Sequence, residues 1–166
     1  FPTVLFFGAD SLNDLTPAIQ KKGLKSLLMV TDPGLVHIGL ADSVKSTLTS
    51  SGLNIDIFDG VHPNPLEEDV TLGVKAYQSG DYDGIIALGG GSAMDVTKTI
   101  RFMAVHEPPL AQYNDAVGGD AKIVNPMPPL FAIPTTAGTG SEVGRSSVVT
   151  IKETGKKTIF FHPGLM

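Results

Sequence analysis

The sequence predicts an α/β fold: a doubly wound, mainly parallel sheet with helices on both faces. Three observations carry this. Short, continuous apolar runs recur at residues 26–31 (SLLMVT), 54–58 (NIDIF) and 84–88 (GIIAL). Each is separated from the next by a stretch with helical periodicity that ends at a glycine. The third run opens directly into Gly89-Gly90-Gly91-Ser92 at the head of a further helical stretch. Runs apolar along their whole length suit strands covered on both sides, and the intervening helices supply the crossovers that parallel pairing requires.

Taken in order, residues 4–7 read as a short first strand closed by Gly8. Residues 12–22 read as a helix with Leu12, Leu15, Ala18 and Ile19 on one face, ended by Gly23. The strand at 26–31 stops at the turn Asp32-Pro33-Gly34. A helix at 41–51 ends at Gly52, a strand covers 54–58, and Pro63-Asn64-Pro65 breaks the chain. A helix at 67–79 ends at Gly80, and after the strand at 84–88 a helix runs to about residue 106. Residues 108–129 are Pro- and Gly-rich and read as loop. Beyond them, 130–133, 147–151 and 158–161 read as strands, the last two joined through the hairpin turn Glu153-Thr154-Gly155. No internal repeat interrupts this pattern, so residues 1–166 are expected to form one domain.

Composition narrows the function classes. A chain of 166 residues with 42% hydrophobic and 17% charged residues can bury a core and reads as soluble and globular. The formal net charge is −5, and the only adjacent basic pair late in the chain is Lys156-Lys157, so no nucleic-acid partner is expected. No apolar run approaches the roughly 20 residues that span a bilayer, and no signal-peptide pattern opens the chain. No membrane association and a cytoplasmic address are therefore expected. With no cysteine, disulfides and thiolate metal sites are excluded. The four histidines, His37, His62, His106 and His162, form no metal-spaced pair, so no metal site is expected from them.

Two loops hold the groups suited to chemistry. The segment 88–98 (LGGGSAMDVTK) sits where a buried strand hands over to a helix. Glycine removes side-chain bulk so that a phosphate can reach the backbone, and the free N–H groups of a helix start favour negative charge. Ser92 is placed to cap the helix or to donate to a phosphate oxygen. Two named phosphate motifs fail: Met94 stands at the last glycine of GxGxxG, and no Gly-Lys-Ser/Thr completes a P-loop. The elbow alone is thus either a phosphate cradle or a structural turn. Asp95 and Lys98 have the i,i+3 spacing of a simple helical ion pair. The second loop, 133–142 (IPTTAGTGSE), places Thr135, Thr136, Thr139 and Ser141 after another apolar strand, rich in donors without added charge.

Asp32 ends the first buried strand. It can accept the two hydroxyls of an adenosine ribose and repel a 2′-phosphate, or it can cap the segment that follows. In the dinucleotide fingerprint the acid follows the glycine loop by about 20 residues; here it precedes Gly89. Asn64 is held between two prolines and is either a ligand contact or a turn residue.

Together these residues resemble the iron-containing (group III) alcohol dehydrogenase family. The resemblance rests on Gly89-Gly-Gly-Ser-Ala-Met-Asp-Val-Thr-Lys98 and Pro134-Thr-Thr-Ala-Gly-Thr-Gly-Ser-Glu142. It is supported by Val30-Thr-Asp32, Gly60-Val-His-Pro-Asn-Pro65 and His162-Pro163, in the family's order and over essentially the whole chain. It implies a dehydroquinate-synthase-like dinucleotide-binding domain. A C-terminal helical domain would follow, carrying an aspartate and three histidines that bind Fe2+ or Zn2+. The chain is expected to stop before that domain, to lack its metal ligands, and to be inactive alone.

The resemblance further implies NAD-linked interconversion of a small alcohol with an aldehyde or ketone, with NAD preferred to NADP because of Asp32. Asp32 would meet the adenosine ribose. Asn64, Gly90, Gly91 and Ser92 would lie along the ribose and diphosphate, with Asp95 in the same motif. Thr135, Thr136 and Thr139 would line the adenine and diphosphate side, and Lys157 would reach the nucleotide. Related branches, maleylacetate reductases and hydroxyacid–oxoacid transhydrogenases, fit the same residues, as does a nucleotide-binding module without catalysis. The glycerol branch fits less well, because it departs from Gly-Gly-Gly-Ser at the serine. A homodimer paired through residues 4–7 is also consistent with the reading.

Overall fold

The computed structural model describes residues 3–166. Its main sheet has four parallel strands in the order β2-β1-β3-β4, with β1 at Ser26–Val30, β2 at Asn54–Phe58, β3 at Gly84–Gly89 and β4 at Leu130–Pro134. Five helices accompany it: α1 at Leu15–Lys21, α2 at Pro33–His37, α3 at Leu40–Thr49, α4 at Glu67–Ser79 and α5 at Gly91–Met103. An antiparallel hairpin of β5 (Ser146–Thr150) and β6 (Lys157–Phe161) stands beside the sheet, pairing Val148 with Ile159.

Period-two alternation divides the strand side chains between two cores. Leu27, Met29, Ile55, Ile86 and Leu88 pack with Ile19 of α1 and Ala41, Val44 and Leu48 of α3. Leu28, Val30 and Ile85 face the other way, onto Val70 of α4 and Val96 and Ile100 of α5. All six residues of β3 are buried, as befits a central strand covered on both faces. The expected doubly wound sheet is therefore the observed one.

Several boundaries moved. Residues 4–7 form no strand: they have no ladder partner, and Val4 and Phe7 are 75% and 101% exposed. Apolar β-formers need a partner for their backbone groups, and the sheet order gives them none. The helix expected at 12–22 opens as a 3-10 turn, Ser11–Asp14, before α1. Asp32-Pro33-Gly34 is more than a stop: Asp32 caps α2, with Pro33 at its first position. Helix α5 ends at Met103 rather than near residue 106. There the His106 ring bonds the Phe102 carbonyl through Nδ1, while Nε2 accepts from the N–H groups of Val124 and Asn125. The loop region at 108–129 contains three 3-10 turns.

Strand order positions the site. From β1 the chain crosses to β2 at one edge, and from β3 it crosses to β4 at the other. The connections diverge between β1 and β3, which opens a crevice beyond the carboxyl ends of those strands. The hairpin is held against this end. Thr150 N–H donates to Pro65 O at 2.8 Å, and Thr99 Oγ1 lies 2.9 Å from Ser147 Oγ.

Helices α4 and α5 meet where Gly73 faces Ile100, so closely that a Cβ on residue 73 would sit 2.1 Å from Ile100 Cδ1. Gly73→Ala is expected to destabilise the fold by about 1–3 kcal/mol through overpacking. Adding Ile100→Val, which removes Cδ1, should recover part of that loss in thermal denaturation. Strictly additive effects of the two substitutions would show that this contact does not limit the helix approach.

Candidate functional site

The site begins where β3 ends. Gly89 has φ 148°, and a Cβ there would lie 2.6 Å from Ala93 Cβ and 3.5 Å from Asp32 Oδ2. Glycine is thus required by both conformation and contact. Gly90 is the N-cap of α5, and no side chain caps that helix. The first N–H groups of a helix lack intrahelical acceptors, so this start offers donors to an anion. The capping role considered for Ser92 does not occur, because Ser92 lies one position inside the helix.

The second loop rests directly on this elbow. Thr135 N–H donates to Gly89 O at 2.9 Å. A Cβ on Gly90 would come within 3.0 Å of Thr136 Oγ1, and one on Gly91 within 3.0 Å of Thr139 Cγ2. The two glycines therefore make room for threonines as well as for a ligand. Thr135, Thr136 and Thr139 remain exposed above them.

Asp32 performs the local duty that its sequence context allowed. Its Oδ1 accepts from Leu35 N–H at 3.1 Å, while Oδ2 faces Gly89. The chain order of acid and glycines is reversed relative to the dinucleotide fingerprint, yet parallel pairing of β1 with β3 brings them together.

On the other side of the elbow, Asn64, Pro65, Ser92, Asp95, Val148, Thr150 and Lys157 line a cavity of about 170 Å³. That is below the roughly 300–1,000 Å³ of a complete small-molecule pocket, so the cavity suits one portion of a larger ligand. Asn64 stands at φ 58°, a conformation asparagine tolerates, and its Oδ1 accepts from Lys157 Nζ at 3.0 Å. Its loop is fixed by buried Asp69, whose Oδ2 accepts from Leu66 N–H and His62 N–H and whose Oδ1 pairs with His62 Nδ1 at 2.7 Å.

Asp95 and Lys98 form the i,i+3 pair that their spacing allows, with further partners. Their charged atoms are 3.9 Å apart, but Lys98 is 1% exposed. Its Nζ donates to Ser141 Oγ at 2.8 Å, Gly144 O at 3.0 Å and Ser146 O at 2.8 Å. Asp95 Oδ1 accepts from Ser141 Oγ at 2.6 Å, and Oδ2 accepts from Val148 N–H at 3.1 Å. Burial pulls the Lys98 ammonium down to about 8, against the opposing attraction of Asp95 and Glu142. Burial likewise raises the Asp95 carboxyl, partly offset by Ser141, Lys98 and Val148.

The ten residues singled out in the sequence thus lie along the carboxyl end of the sheet and its flanking hairpin. Lys98 and Ser141 were underestimated. The signal was present: a lysine among Met94, Val96, Thr97 and Ile100, all buried, had to find partners. Among the described residues, no group of three or more His, Cys, Asp or Glu side chains could hold a metal ion. His62, His106 and His162 each have a local hydrogen-bonding role, the last accepting from Gly164 N–H.

Comparison with known proteins agrees with this geometry. The chain is 39% identical over 152 residues to a choline dehydrogenase of Bacillus subtilis, and 40% identical over 160 residues to a 1,3-propanediol dehydrogenase of Klebsiella pneumoniae. These alignments take in 92% and 95% of this chain but only 38% and 40% of those proteins. A crystal structure of a 1,3-propanediol oxidoreductase superposes with a TM-score of 0.89 at 39% identity, over 97% of this chain and 41% of that one. A sulfoacetaldehyde reductase from Bifidobacterium kashiwanohense, solved in complex with NAD+, gives a TM-score of 0.86 at 30% identity, over 99% of this chain and 43% of its own. The family model for iron-containing alcohol dehydrogenase matches residues 2–166, and the chain belongs to that family.

Proposed function

We propose that residues 1–166 act as one dinucleotide-binding domain, the cofactor half of an NAD-linked enzyme that interconverts an alcohol with an aldehyde or ketone. The observation that carries this reading is the convergence of Asp32 Oδ2, the Gly89–Gly91 backbone and the threonine loop on one crevice. An acid at one end suits a ribose diol, and uncharged N–H and O–H donors suit a diphosphate. A relative of the same fold has been solved with NAD+, which supports the choice of cofactor. Bound in this crevice, the nicotinamide dinucleotide supplies hydride acceptance and donation.

In this reading Asp32 binds the adenosine ribose and disfavours a 2′-phosphate. Gly90, Gly91 and Ser92 present N–H and hydroxyl donors to the diphosphate. Thr135, Thr136 and Thr139 close the opposite wall. Asn64 and Lys157 hold the ligand portion that enters the smaller cavity, with Asp95 in its wall. The residues of this chain do not fit a divalent metal among those described, so no metal-dependent step is assigned to them. The relatives are named for different alcohols.

Three outcomes test the reading. Asp32→Asn keeps the oxygen that caps α2 but removes the charge. In calorimetric titration it should weaken NAD about tenfold, as expected for a lost charged hydrogen bond, and abolish discrimination against NADP. Unchanged preference would remove Asp32 from the ribose site. Lys157 is exposed, so Lys157→Met should lower dinucleotide affinity several-fold, on the order of 1 kcal/mol, while the melting temperature stays constant. Equal affinity in the two proteins would separate Lys157 from the ligand. The purified 166-residue chain, with Fe2+ or Zn2+ added, should reduce no NAD in the presence of an alcohol. Metal-dependent turnover by that chain would contradict the assignment of a cofactor half.

A further inference from the structure

We propose that Lys98 is a positioning residue whose ammonium pins the second polar loop against helix α5, so that loss of its charge loosens the loop and weakens dinucleotide binding. The inference rests on the cofactor reading above and deepens it.

Between the end of β4 at Pro134 and the start of β5 at Ser146 the chain has no regular strand or helix. Residues 135–139 are exposed, so burial does not fix them. The internal bonds of this loop are short-range, from Val143 and Gly144 N–H back to Gly140 and Ser141. The long-range ties at its distal half are those of Lys98 and Asp95 and, at its last residue, the bond that His162 N–H donates to Arg145 O at 3.1 Å. Lys98 Nζ reaches Ser141 Oγ, Gly144 O and Ser146 O, and Ser141 Oγ in turn donates to Asp95 Oδ1. Ser141 lies two residues beyond Thr139, whose methyl group rests on Gly91. Anchoring Ser141 therefore sets where Thr139 stands over the start of α5.

The donor count makes the anchor sensitive to charge. An ammonium has three N–H bonds, and Lys98 has three oxygen acceptors. A neutral amine has two N–H bonds and must leave one acceptor without its donor. Two charged groups face the ammonium: Asp95 from its own helix, at 3.9 Å, and Glu142 from the loop. Strand β5 adds Ser147 and Val148 near these groups but no charge. The Glu142 atom Oε2 is buried with no hydrogen-bond partner, which leaves Lys98 as its electrostatic compensation.

Burial brings the Lys98 ammonium from 10.5 to about 8. The sign of the linkage separates positioning from stability. Between about 8 and 10.5 the unfolded chain retains a proton that the folded chain has released, so the contribution of Lys98 to stability rises with pH. Loop anchoring falls over the same range. A merely structural lysine would not set affinity and stability moving in opposite directions.

The test compares wild type, Lys98→Met and Ser141→Ala, with NAD+ as the probe, by calorimetry at about pH 7 and about pH 9.5, either side of the Lys98 transition. Wild-type affinity should fall about tenfold between the two conditions. Lys98→Met should already be about tenfold weaker at the lower pH and show no such step. Amide hydrogen exchange at residues 140–144, measured without nucleotide, should lose protection in Lys98→Met and, to a smaller degree, in Ser141→Ala. Should Lys98→Met fail to fold, Ser141→Ala cuts the same anchor from the loop side without changing the buried charge. Unchanged protection in the variants, or a Lys98→Met affinity equal to wild type, would overturn the proposal. If wild type binds no NAD+, the cofactor reading fails, while hydrogen exchange still decides whether Lys98 anchors the loop.

Discussion

The site depends on the absence of side chains at three consecutive positions. Gly89, Gly90 and Gly91 are each approached by a different part of the chain: Ala93 and Asp32, Thr136, and Thr139. A Cβ at any of them would displace one wall of the crevice. At Gly89 the backbone would also be strained, since φ is 148°. These glycines therefore serve two functions that sequence alone does not distinguish. They expose backbone donors toward a ligand, and they let two loops and the end of β1 meet at one place. The parallel order β2-β1-β3-β4 supplies the remainder, because it puts the ends of β1, β3 and β4 side by side.

Most of the fold was legible because burial on both faces leaves a plain record in a strand. Residues of β1 and β3 are almost all apolar, and no alternating pattern competes with that reading. Legibility failed where the decisive partner was distant. Residues 4–7 have the composition of a strand, but strands are made by their neighbours, and neither sheet edge receives them. At Asp32-Pro33-Gly34 the same residues that make a turn also start a helix, and five residues of α2 are too short to announce themselves by periodicity.

The proximity of the residues singled out was legible in the sequence, and their bonding partners less so. Asp32, Gly90, Gly91, Thr136 and Thr139 do come together, across long separations in sequence. Asp95 and Lys98 were read as neighbours on one helix, because the i,i+3 spacing was all that the sequence displayed. Their principal partners, Ser141, Gly144, Ser146 and Val148, lie more than forty positions away. Long-range polar partners are what a one-dimensional pattern cannot carry. A buried lysine on a helix otherwise packed with apolar side chains is nevertheless evidence that such partners exist.

The inward turn of Asp95 and Lys98 also shapes the electrostatics of the crevice. Both are committed to holding the second loop, so the elbow region between the two halves of the site presents backbone N–H groups and hydroxyls instead of paired charges. Formal charge remains at Asp32 beside Gly89 and at Lys157 beside Asn64. Neutral donors can bind an anionic diphosphate without the desolvation cost of burying another cation. The cation that the fold does bury, Lys98, is used to order the loop that carries the donors.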